Sequence, residues 1–235
     1  MRKIDGANNY LKNQSRKYLG RSILSLLFFS LIFGLTCYSA LFHMRRIGVI
    51  EGIGFVASII VLMVFQYYQR KYRIYKSGRQ GEKEVINTLT KSLNDDHYLI
   101  NGAYLKGKGG DIDHIVLGPN GVYVLETKNW SGKIICNGDQ WQRPGKHIKS
   151  NPSLQIKRNT QKIKKVLDNT HTFQGHKIWV EGIIVFTNPH ADLTVNNTTV
   201  TILKLQQLSN YIKNQNNNCL TKDQIQKIVK QIQNT

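Results

Sequence analysis

From Ser22 to Phe42 the chain runs for 21 residues without a charged side chain, and Leu, Ile and Phe dominate the stretch. A run of that length reaches across a hydrocarbon core of about 30 Å as a helix. A second apolar run, Ile47 to Tyr68, follows after only His43-Met44-Arg45-Arg46 and is interrupted by Glu51 alone. A secretory leader has an apolar core of roughly 7 to 15 residues, then a cleavage site and a soluble chain. The pair of runs therefore predicts two membrane helices, 22–42 and 47–68, joined by a tight hairpin, with Glu51 read as an interfacial residue near Arg45 or Arg46. Basic residues are abundant on the outer flanks, from Arg2 to Arg21 and from Arg70 to Arg79, and the hairpin holds only Arg45 and Arg46. By the excess of Lys and Arg on cytoplasmic flanks, both termini are expected inside. Residues 1–21 read as a basic tail. Residues 69–80 read as a basic juxtamembrane linker suited to anionic lipid near Arg70–Arg79.

The whole chain of 235 residues carries a formal charge of +19. Residues 1–76 hold 12 basic and 2 acidic side chains, net +10, which leaves +9 on residues 77–235. Such a balance suits an anionic partner, nucleic acid or acidic membrane. The three cysteines, Cys37, Cys136 and Cys219, have neither the number nor the spacing of a disulfide framework or a zinc site.

Beyond Gly81 the pattern is that of a soluble domain. Glu82, Val85, Ile86, Leu89 and Leu93 share one stripe of an amphipathic helix. Glu82 on that stripe is either a first-turn carboxylate favoured by the helix dipole or an acid retained there for a partner. His97 to Ile100 reads as a strand, followed by a Gly- and Lys-rich loop, 102–110. Asp111 to Trp130 reads as two strands around Gly118-Pro119-Asn120-Gly121. If those four residues form the loop, Leu117 pairs with Val122 and Asp113 faces Glu126, with Lys128 one pleat away. A three-residue loop would instead set Asp113 against Thr127 and turn Glu126 to the other face. Like charges directly opposite each other are unfavourable in a sheet, so the first register implies a divalent cation.

Further on, residues 133–136 and 140–143 form a hairpin around Asn137-Gly138-Asp139. Asn151-Pro152 starts a helix to about Asp168, with Leu154, Ile156, Ile163, Val166 and Leu167 toward the core and Gln155 bordering that face. Trp179 to Thr187 is a buried strand, 198–203 another, and Leu205 to Ile212 a short helix. After an asparagine-rich linker, Thr221 and Gln224 form a capping box ahead of a last amphipathic helix in 214–235. His114, opposite in face to Asp113, reads as structural; Trp130 and Trp141 read as packed hairpin aromatics, and Asp111 as a strand-start acid.

The order helix, three strands, helix, strand, with Glu82, Asp113 and Glu126-x-Lys128, resembles the PD-(D/E)xK nuclease superfamily. The fuller run adds Gly81-Glu82, Ile112-Asp113-His114-Ile115-Val116-Leu117-Gly118, Gly121-Val122-Tyr123-Val124, Glu126-Thr127-Lys128-Asn129-Trp130-Ser131-Gly132 and Asn151-Pro152 with Gln155. It resembles the NERD (nuclease-related) domain over about Gly78 to Phe186. The resemblance implies an α/β, restriction-endonuclease-like mixed sheet flanked by helices (α-β-β-β-α-β), here spanning 81–213 after a transmembrane hairpin. It also implies a metal-dependent nuclease with Asp113, Glu126 and Glu82 as ligands of Mg²⁺ or Mn²⁺, Lys128 and Gln155 as catalytic partners, and DNA or RNA as substrate. Lys106, Lys108, Lys157 and Arg158 are then candidates for phosphate contacts, and the bacterial plasma membrane, with the domain cytoplasmic, is the expected location. Two other readings are a catalytically silent nucleic-acid binder or sensor at the membrane, and a structural membrane protein whose basic domain lies on anionic lipid. The Asp, Glu and Lys together favour catalysis over silence.

Overall fold

The structure, a computed structural model, describes residues 1–5, 10–42, 48–103, 111–168, 178–215 and 220–234. The expected hairpin His43–Arg46, the loop with Lys106 and Lys108, and most of the asparagine run lie outside the described residues. The chain divides into two units, residues 9–79 and residues 1–8 with 80–235.

The first unit is built from α1 (Tyr10–Phe42) and the first part of α2 (Val49–Ser92). Leu24, Leu27, Leu31 and Leu35 of α1 and Ile53, Val56, Ile59, Ile60 and Met63 of α2 are exposed. A soluble protein's core helix would bury such residues, since exposed apolar area is costly in water. Both helices have the length and composition to cross a bilayer. Glu51 is only 5% exposed, and its Oε1 accepts a hydrogen bond of 2.7 Å from Ser39 Oγ of α1. Residues 69–80, expected as a linker, continue α2 as regular helix. Tyr75 there stacks on Tyr18 of α1 at 5.4 Å and meets Tyr10 edge-on at 6.1 Å, so aromatic contacts keep the helices paired beyond their apolar stretches.

The second unit holds two sheets. Six strands lie in the order β1 (Arg2–Asp5), β2 (Tyr98–Ala103), β3 (Ile112–Gly118), β4 (Gly121–Lys128), β7 (Val180–Phe186) and β9 (Thr201–Lys204). β2, β3 and β4 are antiparallel neighbours, and the pairs β1/β2, β4/β7 and β7/β9 are parallel. Three more strands, β5 (Gly132–Asn137), β6 (Gln140–Gln142) and β8 (Ala191–Asn196), form a small sheet in the order β6-β5-β8. The parallel pair β4/β7 continues directly into the parallel pair β5/β8, with Gly132 opposite Ala191. The fold is thus the mixed α/β sheet with helices that the pattern predicts.

Each face of the large sheet has its own core. Ile115, Leu117, Val122, Val124 and Ile184 pack with α3 (Pro152–Asp168) and α5 (Lys222–Asn234). Leu99, Val116, Tyr123, Leu125, Ile183 and Val185 pack with Val85, Leu89 and Leu93 of α2 and with α4 (Leu205–Lys213). Alternation within one strand therefore feeds two cores, which is why these strands read as nearly unbroken apolar runs. The box at Thr221 forms, with Thr221 N–H donating to Gln224 Oε1 at 2.8 Å.

Several elements depart from the sequence reading. Residues 2–5 are an edge strand of the large sheet, although Arg2 and Lys3 give them the look of a polar tail. Ile225, Ile228, Val229 and Ile232 of α5 are buried in the same core as α3, so this helix is part of the domain. Leu154 is 54% exposed although Pro152 and Ser153 before it are buried, so it lies off the inward face of α3. β8 has no counterpart in the sequence reading, because Asp192, Thr194 and Asn196 dilute its apolar signal along a mostly exposed strand.

Helix α3 lies unusually close to β7. A Cβ on Gly182 would approach Ile156 Cγ1 to 2.8 Å and would also collide with Thr160 Oγ1, so only glycine admits this spacing. Gly182→Ala is expected to destabilise the domain by about 1–3 kcal/mol through overpacking, read as a lower midpoint in denaturant unfolding of the detergent-solubilised chain.

Candidate active site

The register at the turn is the one with Leu117 opposite Val122 and His114 opposite Leu125. The pair Gly118 and Gly121 closes the ladder, leaving Pro119 and Asn120 as the turn. Continuing the ladder by one step brings Asp113 to Glu126. Asp113 Oδ2 accepts a hydrogen bond of 2.7 Å from the backbone N–H of Thr127, which ties the start of β3 to the end of β4. Glu126 is 2% exposed. Its Oε1 is bonded by Lys128 Nζ at 2.6 Å, and the same ammonium donates to Gln155 Oε1 at 3.3 Å. Glu126 Oε2 is buried with no hydrogen-bond partner among the described residues. A buried charged acceptor without a partner is costly.

Each of these side chains is held by its element. Asn151 caps α3, with Leu154 N–H donating to Asn151 Oδ1 at 3.2 Å, and Asn151 Nδ2 donates to the carbonyl of Asp139 at 2.8 Å. Pro152 follows at the first helical position, where its missing N–H costs nothing. This start anchors α3 to the β5–β6 hairpin and presents Gln155 to Lys128. Gly81 does the same for Glu82. A Cβ there would lie 2.7 Å from Thr187 Oγ1 and 3.0 Å from Asn129 Cβ, so glycine lets α2 descend onto the ends of β4 and β7.

The electrostatics are those of crowded acids. Burial, with Asp113 adding to it, pushes the Glu126 carboxyl up to about 8 against the pull of Lys128. Glu82 is pushed up to about 8 by burial and then by Asp113 and Asp111. Burial also raises Asp113, opposed by the Thr127 N–H and Lys128. Asp113, Glu126 and Glu82 thus sense one another's charge, which is how functional carboxylate sites commonly look. Among the described residues no three His, Cys, Asp or Glu side chains are grouped so that they could hold a metal ion between them. The donor chemistry nevertheless fits a hard cation: the carboxylates supply only acceptor oxygens, one of them unpaired, and Mg²⁺ ordinarily completes its shell with water.

The other residues singled out in the sequence fall elsewhere. His114 lies on the opposite face, 1% exposed, with Nδ1 against Asn101 Oδ1 at 3.0 Å; burial pulls its pKa down to about 3, so it is a neutral core residue. Lys157 forms an ion pair with Asp139. Arg158 is exposed on α3. Trp130 and Trp141 pack edge-to-face at 6.4 Å, and both lie against Phe186, at 6.0 and 5.8 Å. Two contributors escape sequence reading: the backbone N–H of Thr127, since any residue supplies one, and Arg143, whose guanidinium carbon lies 4.5 Å from the Trp130 ring centroid. The pairing of Trp130 and Arg143 across a hairpin was in principle findable from the Asn137-Gly138-Asp139 turn.

Comparison with known proteins bears on this site. Residues 77–187 match the family described as Nuclease-related domain, NERD, so the chain carries a nuclease-related domain that contains Glu82, Asp113, Glu126, Lys128 and Gln155. An uncharacterized protein of Bacillus anthracis is 35% identical over 79 residues, which is 32% of this chain and 37% of that protein. The matched stretch is thus little more than a third of that relative's length. No solved structure matches the chain.

With a folded-state pKa near 8 for Glu126 and Glu82, against the ordinary 4.5, the native state keeps protons that the unfolded chain releases between those values. Stability without metal is therefore expected to fall as pH rises from about 5 to 8, with a slope of up to about 1.4 kcal/mol per pH unit for each group. Glu126→Gln should flatten that slope. Thermal unfolding in a chelator-containing buffer across this range measures both.

Proposed function

We propose that this chain is a membrane-anchored, divalent-metal-dependent nuclease that hydrolyses phosphodiester bonds on the cytoplasmic side. The observation that carries the reading is Glu126: an almost fully buried carboxylate with one oxygen on Lys128, the other unpaired, and two further acids close enough to raise its pKa. A stable fold gains nothing from such crowding, whereas a cation on the acids removes the repulsion. Asp113, Glu126 and Glu82 would hold Mg²⁺ or Mn²⁺. A bound cation of this kind lowers the pKa of a coordinated water and offsets charge on the scissile phosphate.

The remaining roles belong to the chain's own side chains. Thr127 N–H fixes the Asp113 carboxylate. Lys128, held between Glu126 and Gln155, presents an ammonium to charge developing on the phosphoryl oxygens. Gln155 positions that ammonium by accepting from it. Arg158, on the outward face of α3, is suited to a neighbouring phosphate and would add affinity without reading sequence.

The membrane placement is supported by the exposed apolar surfaces of α1 and α2 and by the basic outer flanks. The sheet supplies a second argument. β1 precedes both helices and β2 follows them, yet the two strands are hydrogen-bonded neighbours. If α1 and α2 cross a bilayer, they must cross and return, which leaves the nuclease-related domain and residues 2–5 on one side. The Lys and Arg excess on that side selects the cytoplasm.

The test of the activity uses the full chain in detergent, since β1 belongs to the domain. It is expected to cleave single- or double-stranded DNA, or RNA, with Mg²⁺ or Mn²⁺. Asp113→Ala, Glu126→Ala and Lys128→Ala are each expected to lower the rate at least about 100-fold while the circular dichroism spectrum is kept. Binding without cleavage under any of these conditions would favour the silent, nucleic-acid-binding reading. For orientation, Lys83→Cys in a cysteine-free chain should react with an impermeant maleimide in inside-out vesicles and stay unlabelled in intact cells; the reverse pattern would overturn the cytoplasmic placement.

A further inference from the structure

The β5–β6 hairpin sets a further cation against the same indole as Lys128. Arg143 immediately follows β6, and its guanidinium carbon lies 4.5 Å from the Trp130 ring centroid. Lys128 Nζ lies 5.8 Å from the same centroid. One indole therefore carries both the site lysine and this arginine. The ring is itself immobilised edge-to-face against Trp141 and Phe186, and Trp141 is pinned by a hydrogen bond of 2.8 Å from its Nε1 to Ser153 Oγ of α3. The backbone contributes as well. Gly132 turns the chain from β4 into β5 at φ +78°, and the Ser131 carbonyl just before it accepts from Arg143 Nη2 at 3.3 Å.

The guanidinium is held but not neutralised. Its Nε is buried with no hydrogen-bond partner, and no carboxylate forms an ion pair with it, both among the described residues. Burial already draws its pKa below the usual arginine value. A partly desolvated cation with unused donors gains most from an anion that fits its planar fork, and a phosphodiester does. Asp113 and Glu126 are bonded by the Thr127 N–H and by Lys128, which leaves an anion from outside the chain to meet the guanidinium. The Trp130 face against Arg143 is also closed to a base, so Trp130 acts as the arginine's support and not as a stacking platform.

Resting on the nuclease reading, we propose that Arg143 is a backbone-phosphate ligand of the substrate, clamping a phosphodiester next to the one that Lys128 faces. Contact with phosphate alone predicts affinity that is independent of base sequence. The Trp-Ser-Gly stretch then has a physical purpose: the indole and the Ser131 carbonyl orient the fork, and the left-handed glycine brings the hairpin round to it.

The test is binding of fluorescein-labelled DNA and RNA oligonucleotides of several sequences to the full chain in detergent, by fluorescence anisotropy from about 50 to 200 mM salt. It is run in a Glu126→Gln background, which prevents turnover. Arg143→Gln is expected to weaken binding about tenfold for every sequence and to lower the slope of log affinity against log salt by about 1. Arg143→Lys, which keeps the charge and loses the fork, is expected to retain most of the slope and only part of the affinity. Unchanged affinity and slope in Arg143→Gln, or a loss confined to one sequence, would overturn the assignment. Should Arg143→Gln lose the near-ultraviolet signal of its packed tryptophans, Arg143→Lys decides: binding equal to that of the parent sinks the proposal. Absence of any nucleic-acid binding also sinks it, whereas intact, Arg143-dependent binding by a chain that never cuts overturns only the nuclease reading.

Discussion

Keeping Glu126 ionisable while almost fully buried is the constraint on which the rest of the domain depends. Burial lifts its pKa to about 8, and Lys128 pulls the other way. Here Lys128 bonds one of its oxygens, and Lys128 is in turn held by a glutamine from a different helix. The path to that glutamine runs through the Asn151 cap and the close passage of α3 over Gly182. On the opposite side, Gly81 lets α2 come down far enough for Glu82 to sense the same charges. Two glycines and one helix cap, none of them chemically reactive, thus set the electrostatics of the site.

The strand pair at the centre was largely legible because side-chain alternation is strict and the Gly-Pro-Asn-Gly cluster admits few loops. Alternation alone left two registers open, and the ladder through Gly118 and Gly121 selects the one that turns Asp113 and Glu126 to a common face. The apolar runs of α1 and α2 were equally readable, since composition over 20 residues needs no tertiary information. Helix α3 was legible from its Asn-Pro start. Its inner face was misjudged at Leu154, which faces outward while Pro152, Ser153 and Ile156 around it are buried.

What could not be read depends on partners distant in sequence. β1 is a strand only because β2 offers an unpaired edge, and nothing in Arg2-Lys3-Ile4-Asp5 announces that. β8 is recruited in the same way by β5. Lys157 is a related case: on a helix surface it reads as available charge, and its ion pair with Asp139 on the neighbouring hairpin is visible only in the fold. Such pairings follow from topology, and local propensity is a weak guide to them.

The position of β1 also has a consequence for how the protein is made. Its partner β2 begins with Tyr98 opposite Arg2, so β1 waits for a neighbour that is synthesised only after both apolar helices. A flexible loop of that size would add little entropy beyond a shorter one, but the intervening chain is largely two long helices with exposed apolar faces. Pairing of α1 with α2, held by contacts such as Tyr18 on Tyr75, draws the ends of that span together, and the sheet edge closes after it. The order of assembly is therefore written into the topology: helices first, sheet edge last.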